Sequence, residues 1–189
     1  INYHLRKMVY NQFTPPHLSE IARKNVELGY YDPEFFVSYD TQEIDQLNSY
    51  LNHDRDEDLA YAGMEQFRGK YLVQNRVTHE VYETPQICYM MISATLFSHY
   101  EKDIRMKYVK DFYDAISHFD ISLPTPIMAG LRTPQRQFSS CVLIETDDSL
   151  DSINATTSAI VKYVSQKAGI GVGAGSIRAI GSKIRNGDA

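Results

Sequence analysis

Residues 121–126 read Ile-Ser-Leu-Pro-Thr-Pro. Two prolines one residue apart exclude regular helix at that point, and they divide a chain whose two sides are patterned differently. On the N-terminal side the apolar spacing is helical. Leu18, Ile21, Val26 and Leu28 recur at that spacing within residues 17–28, and Gly29 supplies a stop. A second helix is expected after Asp40-Thr41, with Glu43 in its first turn and Ile44, Leu47 and Leu51 on its apolar face. A third is expected over 58–67, ended by Gly69. Residues 70–77 are rich in aromatic and β-branched side chains, and Thr78-His79-Glu80 would return the chain into Val81-Tyr82, so a small hairpin is expected. Thr84-Pro85 reads as an N-cap followed by proline at the first helical position, opening a largely buried helix over 86–100. An amphipathic helix follows over 101–119, with Ile104, Tyr108, Phe112, Ala115 and Ile116 on one face.

Beyond the prolines, a basic and polar stretch over 132–137 leads into Phe138-Ser139-Ser140-Cys141-Val142-Leu143-Ile144-Glu145. This run has strand composition, and its apolar second half suggests burial on both faces, as in a parallel sheet. Asp148-Ser149 would cap a helix carrying Ile153, Ile160, Val161 and Val164, and Gly169-Ile170-Gly171-Val172 can form another strand. Strand, helix, strand is the opening of a parallel α/β layer. The expected organisation is therefore a mainly helical region over 1–136 and the start of an α/β region over 137–189.

Composition narrows the function. A formal charge of -5, from 24 acidic and 19 basic side chains mixed along 189 residues, leaves no basic stripe of the kind that holds polymer nucleic acid. Two cysteines are too few for a disulfide-stapled secreted fold, which points to a reducing, cytoplasmic setting. No charged-then-apolar leader opens the chain. The longest apolar stretch, 87–97, is too short to span a bilayer, so no membrane partner is expected. The first residue is Ile1 rather than Met, and residues 185–189 follow directly on a glycine-rich segment. A piece of a longer protein is the expectation.

Several residues invite chemical readings. Gly169, Gly171 and Ala174 satisfy the spacing of a dinucleotide fingerprint, but that motif needs a strand before it and a helix and an acidic residue after it, and here a helix precedes. Glycine at this density instead lets a backbone pass close to a ligand or a neighbouring strand, or simply packs tightly. Arg178 and Arg185 lie in a glycine-rich segment where their guanidinium forks suit phosphate oxygens, although solvated arginine explains either one singly. Asp148 and Ser149 are explained by helix capping alone. Cys88, among Ile87, Tyr89, Met90 and Met91, behaves as a small hydrophobe. Cys141 follows two serines; from composition it reads as a buried structural thiol, since no thiolate-stabilising neighbourhood is visible. The six histidines form no metal-ligand pattern, and neither a serine-hydrolase elbow nor a phosphate-binding lysine loop is present.

Five blocks taken together resemble the large subunit of class I ribonucleotide reductase, in the bacterial and phage branch. They are Lys70-Tyr71-Leu72-Val73-Gln74-Asn75-Arg76, Ser122-Leu123-Pro124-Thr125-Pro126, Arg136-Gln137-Phe138-Ser139-Ser140-Cys141, Asp148-Ser149-Leu150-Asp151-Ser152-Ile153, and Ala168-Gly169-Ile170-Gly171 with Arg178 and Arg185. The resemblance implies an α/β fold in which a helical N-terminal region leads into the first strands and helix of a ten-stranded α/β barrel. It also implies reduction of ribonucleoside diphosphates to deoxyribonucleotides by thiyl-radical chemistry, with Cys141 as one member of a reducing cysteine pair. That role reverses the compositional reading of Cys141. Thr125, Ser140, Cys141 and Gly169 match substrate contacts. Asp148, Ser149, Leu150, Arg178 and Arg185 match the pocket for the deoxynucleoside triphosphate effector, and His4 and Lys7 fall where the family's activity-regulating ATP lobe ends.

The same resemblance implies a homodimer formed through the helix after Asp148, a small subunit whose metal supplies the radical, and re-reduction by thioredoxin or glutaredoxin. No cofactor or metal is expected on this chain itself. The radical-bearing cysteine and the second member of the reducing pair have no counterpart among these residues, so the chain alone is expected to be inactive. Two rival readings remain: a non-catalytic nucleotide-binding regulator that keeps the effector pocket, and a purely structural helical scaffold that leaves the segment from Gly169 to Arg185 without a reason.

Overall fold

The computed structural model describes residues 2–166 and 168–183, and the chain divides into two compact units, Ile1–Phe138 and Ser139–Ala189. The first is helical: α1 (Asn2–Tyr10), α2 (Leu18–Glu27), α3 (Glu34–Ser38), α4 (Thr41–Tyr50), a 3-10 turn (His53–Asp58), α5 (Tyr61–Gln66), a π turn (Phe67–Tyr71), α6 (Pro85–Leu96), α7 (Lys102–Ser117) and α8 (Thr125–Gly130). Local chemistry sets several of these ends. Asp40 accepts from the Glu43 N–H at 3.0 Å while Glu43 accepts from the Asp40 N–H at 3.0 Å, a reciprocal cap that opens α4. Gly29 follows α2 at φ 74°, a left-handed conformation that glycine adopts without a Cβ penalty.

Helix α6 is the axis of this unit. Ten successive residues, Pro85 to Ala94, are buried, as expected of a helix apolar all round. Pro85 does sit at its start, but Thr84 does not cap it with its side chain; its hydroxyl pairs with the Tyr10 phenol at 3.4 Å instead. The helix stops at Leu96 rather than running on to Tyr100.

Helix α7 buries Arg105, Met106, Val109, Tyr113, Ile116 and Ser117. This face is rotated by about one residue from the expected stripe. Ile104 and Tyr108 are each 43% exposed, and Tyr108 stacks on Phe97 in a surface cluster of rings. The rotation has a cause that hydropathy conceals: Arg105 is drawn inward by Glu43, with Nε donating to Oε1 at 2.8 Å, and its guanidinium lies 4.4 Å from the centre of the Tyr39 ring.

The expected hairpin over 70–82 is reduced to one antiparallel bridge, Gln74 with Val81. Lys70 and Tyr71 end the π turn rather than beginning a strand, and Gly69 lies inside that turn instead of stopping a helix. Leu72, Val73 and Gln74 are all buried in succession, so the period-2 alternation of a half-buried strand is absent. The Val73 N–H donates to the Glu83 carboxylate at 2.7 Å.

Arg132, expected in a polar stretch, is the largest wholly buried side chain described in the molecule. Its guanidinium pairs with the equally buried Glu83, with Nε donating to Oε2 at 2.9 Å, and the Tyr31 phenol donates to the same carboxylate. The prolines at 124 and 126 do not end helical structure. Pro126 is tolerated in the first turn of α8, where its missing N–H leaves no helical bond unmade.

The second unit is strand, helix, strand: β1 (Cys141–Glu145), α9 (Leu150–Ser165) and β2 (Gly169–Gly173). The strands are parallel, in a register that pairs Cys141 with Gly169 and Glu145 with Gly173. β1 starts at Cys141 rather than Phe138, and within this two-stranded part of the sheet Leu143 is 84% exposed. α9 packs on the sheet, where the Thr146 and Thr156 hydroxyls share a buried bond of 2.9 Å. A Cβ on Gly171 would come within 2.7 Å of the Leu143 side chain, which would have to turn aside to admit it.

Candidate functional site

Three of the residues proposed for substrate meet at one end of the two-stranded sheet. The Gly169 N–H donates to the Ser140 carbonyl oxygen at 2.9 Å, and Gly169 is the register partner of Cys141. A Cβ added to Gly169 would lie 3.6 Å from the Cys141 sulfur and 3.4 Å from the Ser140 carbonyl oxygen. Glycine thus keeps one side of the sulfur uncovered. The expectation from composition that Cys141 is a buried structural thiol is overturned, because the residue is exposed and its thiol is free. Cys88 is the contrasting case: it is buried in α6, and burial pushes its thiol far above the ordinary range, so little thiolate forms.

At the other end of β1 the chain turns into α9. The Ser149 hydroxyl caps that helix by accepting from the Ser152 N–H at 3.1 Å, and Leu150 is 83% exposed beside it. Arg178 is brought to the same place from the loop after β2. Its Nε donates to the Asp148 carboxylate at 2.6 Å and its Nη1 to the Lys183 carbonyl oxygen at 2.9 Å. The structure therefore groups Asp148, Ser149, Leu150 and Arg178 around one helix N-terminus, where backbone N–H groups and a guanidinium suit an anion. An incoming anion would share Arg178 with the Asp148 carboxylate. Arg185 lies outside the described residues.

The remaining proposed residues belong to the helical unit. Lys7, in the last turn of α1, donates to the Asn11 carbonyl oxygen at 2.8 Å and lies 5.6 Å above the Phe13 ring, and His4 is exposed on the same helix. Thr125 is the first residue of α8 and is partly buried. The Tyr71 phenol is held below its ordinary pKa, first by the neighbouring Thr125 side chain and then by the Gln66 amide, which donates to it at 3.1 Å.

Sequence reasoning missed the polar groups under these residues. Arg132 donates to the Tyr71 carbonyl oxygen at 2.9 Å and to the Met128 carbonyl oxygen at 2.7 Å, tying the π turn to α8. Asp56 is also buried; desolvation raises its carboxyl to about 7 against the help of Gln86. His53, three residues earlier, is held down to about 4 by burial and by Arg6. The only available hint was the unusual density of charge at 53–58, which reads equally well as a solvated loop. Among the described residues no group of three or more His, Cys, Asp or Glu side chains is placed to hold a metal, and no helix is long and apolar enough to cross a membrane.

Comparison with known proteins adds independent information. Residues 57–136 match the family described as ribonucleotide reductase, all-alpha domain, and residues 139–189 match ribonucleotide reductase, barrel domain. The chain is 59% identical over 187 residues to ribonucleoside-diphosphate reductase 1 subunit alpha of Escherichia coli strain K12, covering 99% of this chain and 25% of that protein. It is 49% identical over 184 residues to the subunit alpha of Enterobacteria phage T4, covering 97% and 24%, and 31% identical over 159 residues to that of Treponema pallidum, covering 84% and 19%. The chain thus spans about a quarter or less of the length of these curated relatives.

Proposed function

The chain belongs to the ribonucleotide reductase large-subunit family, and from that premise we propose that it forms part of a ribonucleoside-diphosphate reductase alpha subunit, contributing a redox cysteine and a nucleotide effector pocket. The observation that carries this reading is the convergence of Ser140, Cys141 and Gly169 on one sheet end, with an exposed free thiol beside a glycine backbone. Such a site can admit a ribose against sulfur, which a buried thiol cannot.

In the proposed reaction a thiyl radical, generated with the help of a metal-containing small subunit, removes the hydrogen from the ribose 3′ carbon. The 2′ hydroxyl then leaves as water. Cys141 and a second thiol together give two electrons and two protons, close a disulfide, and leave the ribose with a 2′ CH2; the 3′ hydrogen is returned and the thiyl radical regenerated. The net change consumes one ribonucleoside diphosphate and two thiols and yields one deoxyribonucleoside diphosphate, one disulfide and one water. Thioredoxin or glutaredoxin would reduce that disulfide, whose transient character fits a cytoplasmic enzyme. Thr125, in the helical unit, is read as a further substrate contact.

Asp148, Ser149, Leu150, Arg178 and Arg185 are assigned to a deoxynucleoside triphosphate that selects the base, and Lys7 to the ATP-responsive region. The exposed Val161, Tyr163 and Val164 of α9 suit a homodimer contact. A non-catalytic regulator would keep the effector pocket but has no use for an open thiol.

The test is Cys141→Ser in the full-length protein. The variant should fold and bind effector normally, since the side chain is exposed and serine is close in size, while sustained deoxynucleotide formation is lost because oxygen cannot close the disulfide. A variant that melts early yet turns over normally per folded molecule would refute the redox role.

A further inference from the structure

Thr125 stands between Pro124 and Pro126. Each proline locks its own φ, and the second also restricts the residue before it, so the turn that carries the Thr125 hydroxyl has little freedom of its own. The first bonds of α8 complete it: the Ile127 and Met128 N–H groups donate to the Pro124 carbonyl oxygen at 3.0 and 3.1 Å. What is left to be set is where this turn sits as a body. Helix α8 has six residues, too few to be stable without outside support.

That support comes from a side chain just beyond its end. Arg132, wholly buried, donates through Nη1 to the Met128 carbonyl oxygen at 2.7 Å and through Nη2 to the Tyr71 carbonyl oxygen at 2.9 Å. The first oxygen belongs to α8 and the second ends the π turn, against which α8 packs. The guanidinium is itself fixed: Nε donates to Glu83 Oε2 at 2.9 Å, and the same carboxylate accepts from the Val73 N–H at 2.7 Å and from the Tyr31 phenol. The Arg132 backbone is held as well, its carbonyl oxygen accepting from the Asp32 N–H at 3.0 Å. Two bonds thus join the guanidinium to the residue before Thr125, one from Nη1 to Met128 and one from the Met128 N–H to Pro124. Stability alone does not account for a cation here, because apolar side chains of similar volume often serve a core as well as a buried ion pair does. What a rigid planar fork adds is a fixed spacing between the groups it bonds.

We propose that Arg132 is a positioning residue for substrate binding: by fastening α8 to the π turn it fixes the place of the Pro124-Thr125-Pro126 turn, and with it the hydroxyl that meets the ribonucleoside diphosphate. The inference rests on Thr125 being a substrate contact. Arg132 is buried and acts only through the backbone it holds.

Arg132→Lys keeps a cation beside Glu83 but replaces the planar fork by a single ammonium, so the spacing of the two carbonyl oxygens is no longer fixed. In the full-length protein without the radical-generating subunit, affinity for cytidine diphosphate by equilibrium dialysis should fall roughly three- to tenfold. In the assembled enzyme KM should rise to match while kcat per folded molecule is nearly unchanged, the pattern of a lost binding contact. A merely structural loss would instead lower the folded fraction, and so the apparent kcat, with KM unmoved. Thr125→Val should weaken binding at least as much, and adding Arg132→Lys to it should cost nothing further, because Arg132 acts through Thr125. If Thr125→Val binds poorly while Arg132→Lys binds normally, the positioning role is overturned and the substrate role of Thr125 stands. If Thr125→Val binds normally, the substrate role falls and the positioning role with it. Additive losses in the double variant would mean that Arg132 supports some other contact, which also overturns the proposal. Should the lysine variant not fold, Glu83→Met with Arg132→Met takes its place, since charge and counter-charge leave together; the same rise in KM is expected of it, and a normal KM overturns the role.

Discussion

Among the described residues the helical unit buries ion pairs, and the strand-helix-strand unit does not. In the first, Arg132 with Glu83 and Arg105 with Glu43 are buried pairs whose carboxylates and guanidiniums are bonded on several sides. In the second, Arg178 meets Asp148 with both side chains partly in solvent, and apolar residues such as Leu143 and Leu150 face outward. The two buried pairs hold backbones at fixed spacings, whereas the Arg178 pair and the Cys141 thiol are open to solvent.

The contrast is most easily broken at Glu83. Glu83→Gln would leave Arg132 as a buried cation without its counter-charge, and breaking such a pair costs roughly 3–5 kcal/mol. Asp148→Asn, which breaks the partly solvated pair, should cost below about 1 kcal/mol. Urea unfolding of both variants checks this, and similar losses would erase the distinction between the units. Replacing Glu83 and Arg132 together by Met should be milder than Glu83→Gln alone, because no uncompensated charge remains.

A smaller effect concerns two groups near Arg6 that titrate in opposite senses. The Asp56 carboxyl, raised from 3.8 to about 7, holds a proton in the folded chain that the unfolded chain releases; its contribution is full below pH 3.8 and falls as pH rises towards 7. The His53 ring, lowered from 6.5 to about 4, is neutral in the folded chain where the unfolded chain is protonated; its contribution is full above pH 6.5 and is lost as pH falls to 4. Between those limits the two slopes oppose each other. Relative to the unsubstituted protein, Asp56→Asn should therefore gain stability as pH rises through this window and His53→Gln should lose it, each by roughly 3–4 kcal/mol over its full range. Melting curves at several pH values decide the point, and parallel slopes for both variants would show that these groups do not titrate as their burial implies.

The sequence made some of this legible and hid the rest for definite reasons. Local rules reach local features: the Asp40 and Glu43 cap, the Gly29 stop, the Ser149 cap and the Cys141 and Gly169 strands all depend on residues within a few positions of one another. The support under the candidate site does not. Glu83 and Arg132 are 49 residues apart, and each alone reads as a surface charge. Arg105 disguised the buried face of α7, and the aromatic and β-branched run that ends in the π turn looked like a strand until Val73 gave its N–H to Glu83. Thr125 and Cys141 were singled out by resemblance, whereas Tyr71 lay inside a recognised block without a role.

The smallest structural effect and a clear functional one should coincide at Arg178. Its bonds to Asp148 and to the Lys183 carbonyl oxygen are made in partly solvated surroundings, so Arg178→Ala should change unfolding free energy by less than about 1 kcal/mol. The same guanidinium at the N-terminus of α9 is proposed to hold a triphosphate, and charge-assisted bonds of that kind contribute roughly 1.5–3 kcal/mol each, or about a ten- to hundredfold loss of effector affinity on removal. Measuring nucleotide binding and unfolding on one preparation of the full-length protein separates the two quantities. Arg178→Lys sharpens the result: it keeps the charge but not the fork, so it should recover only part of the affinity. Unchanged affinity in Arg178→Ala would leave its contacts with Asp148 and the Lys183 carbonyl oxygen as the residue's whole role, and the proposed effector pocket would lose its described cation.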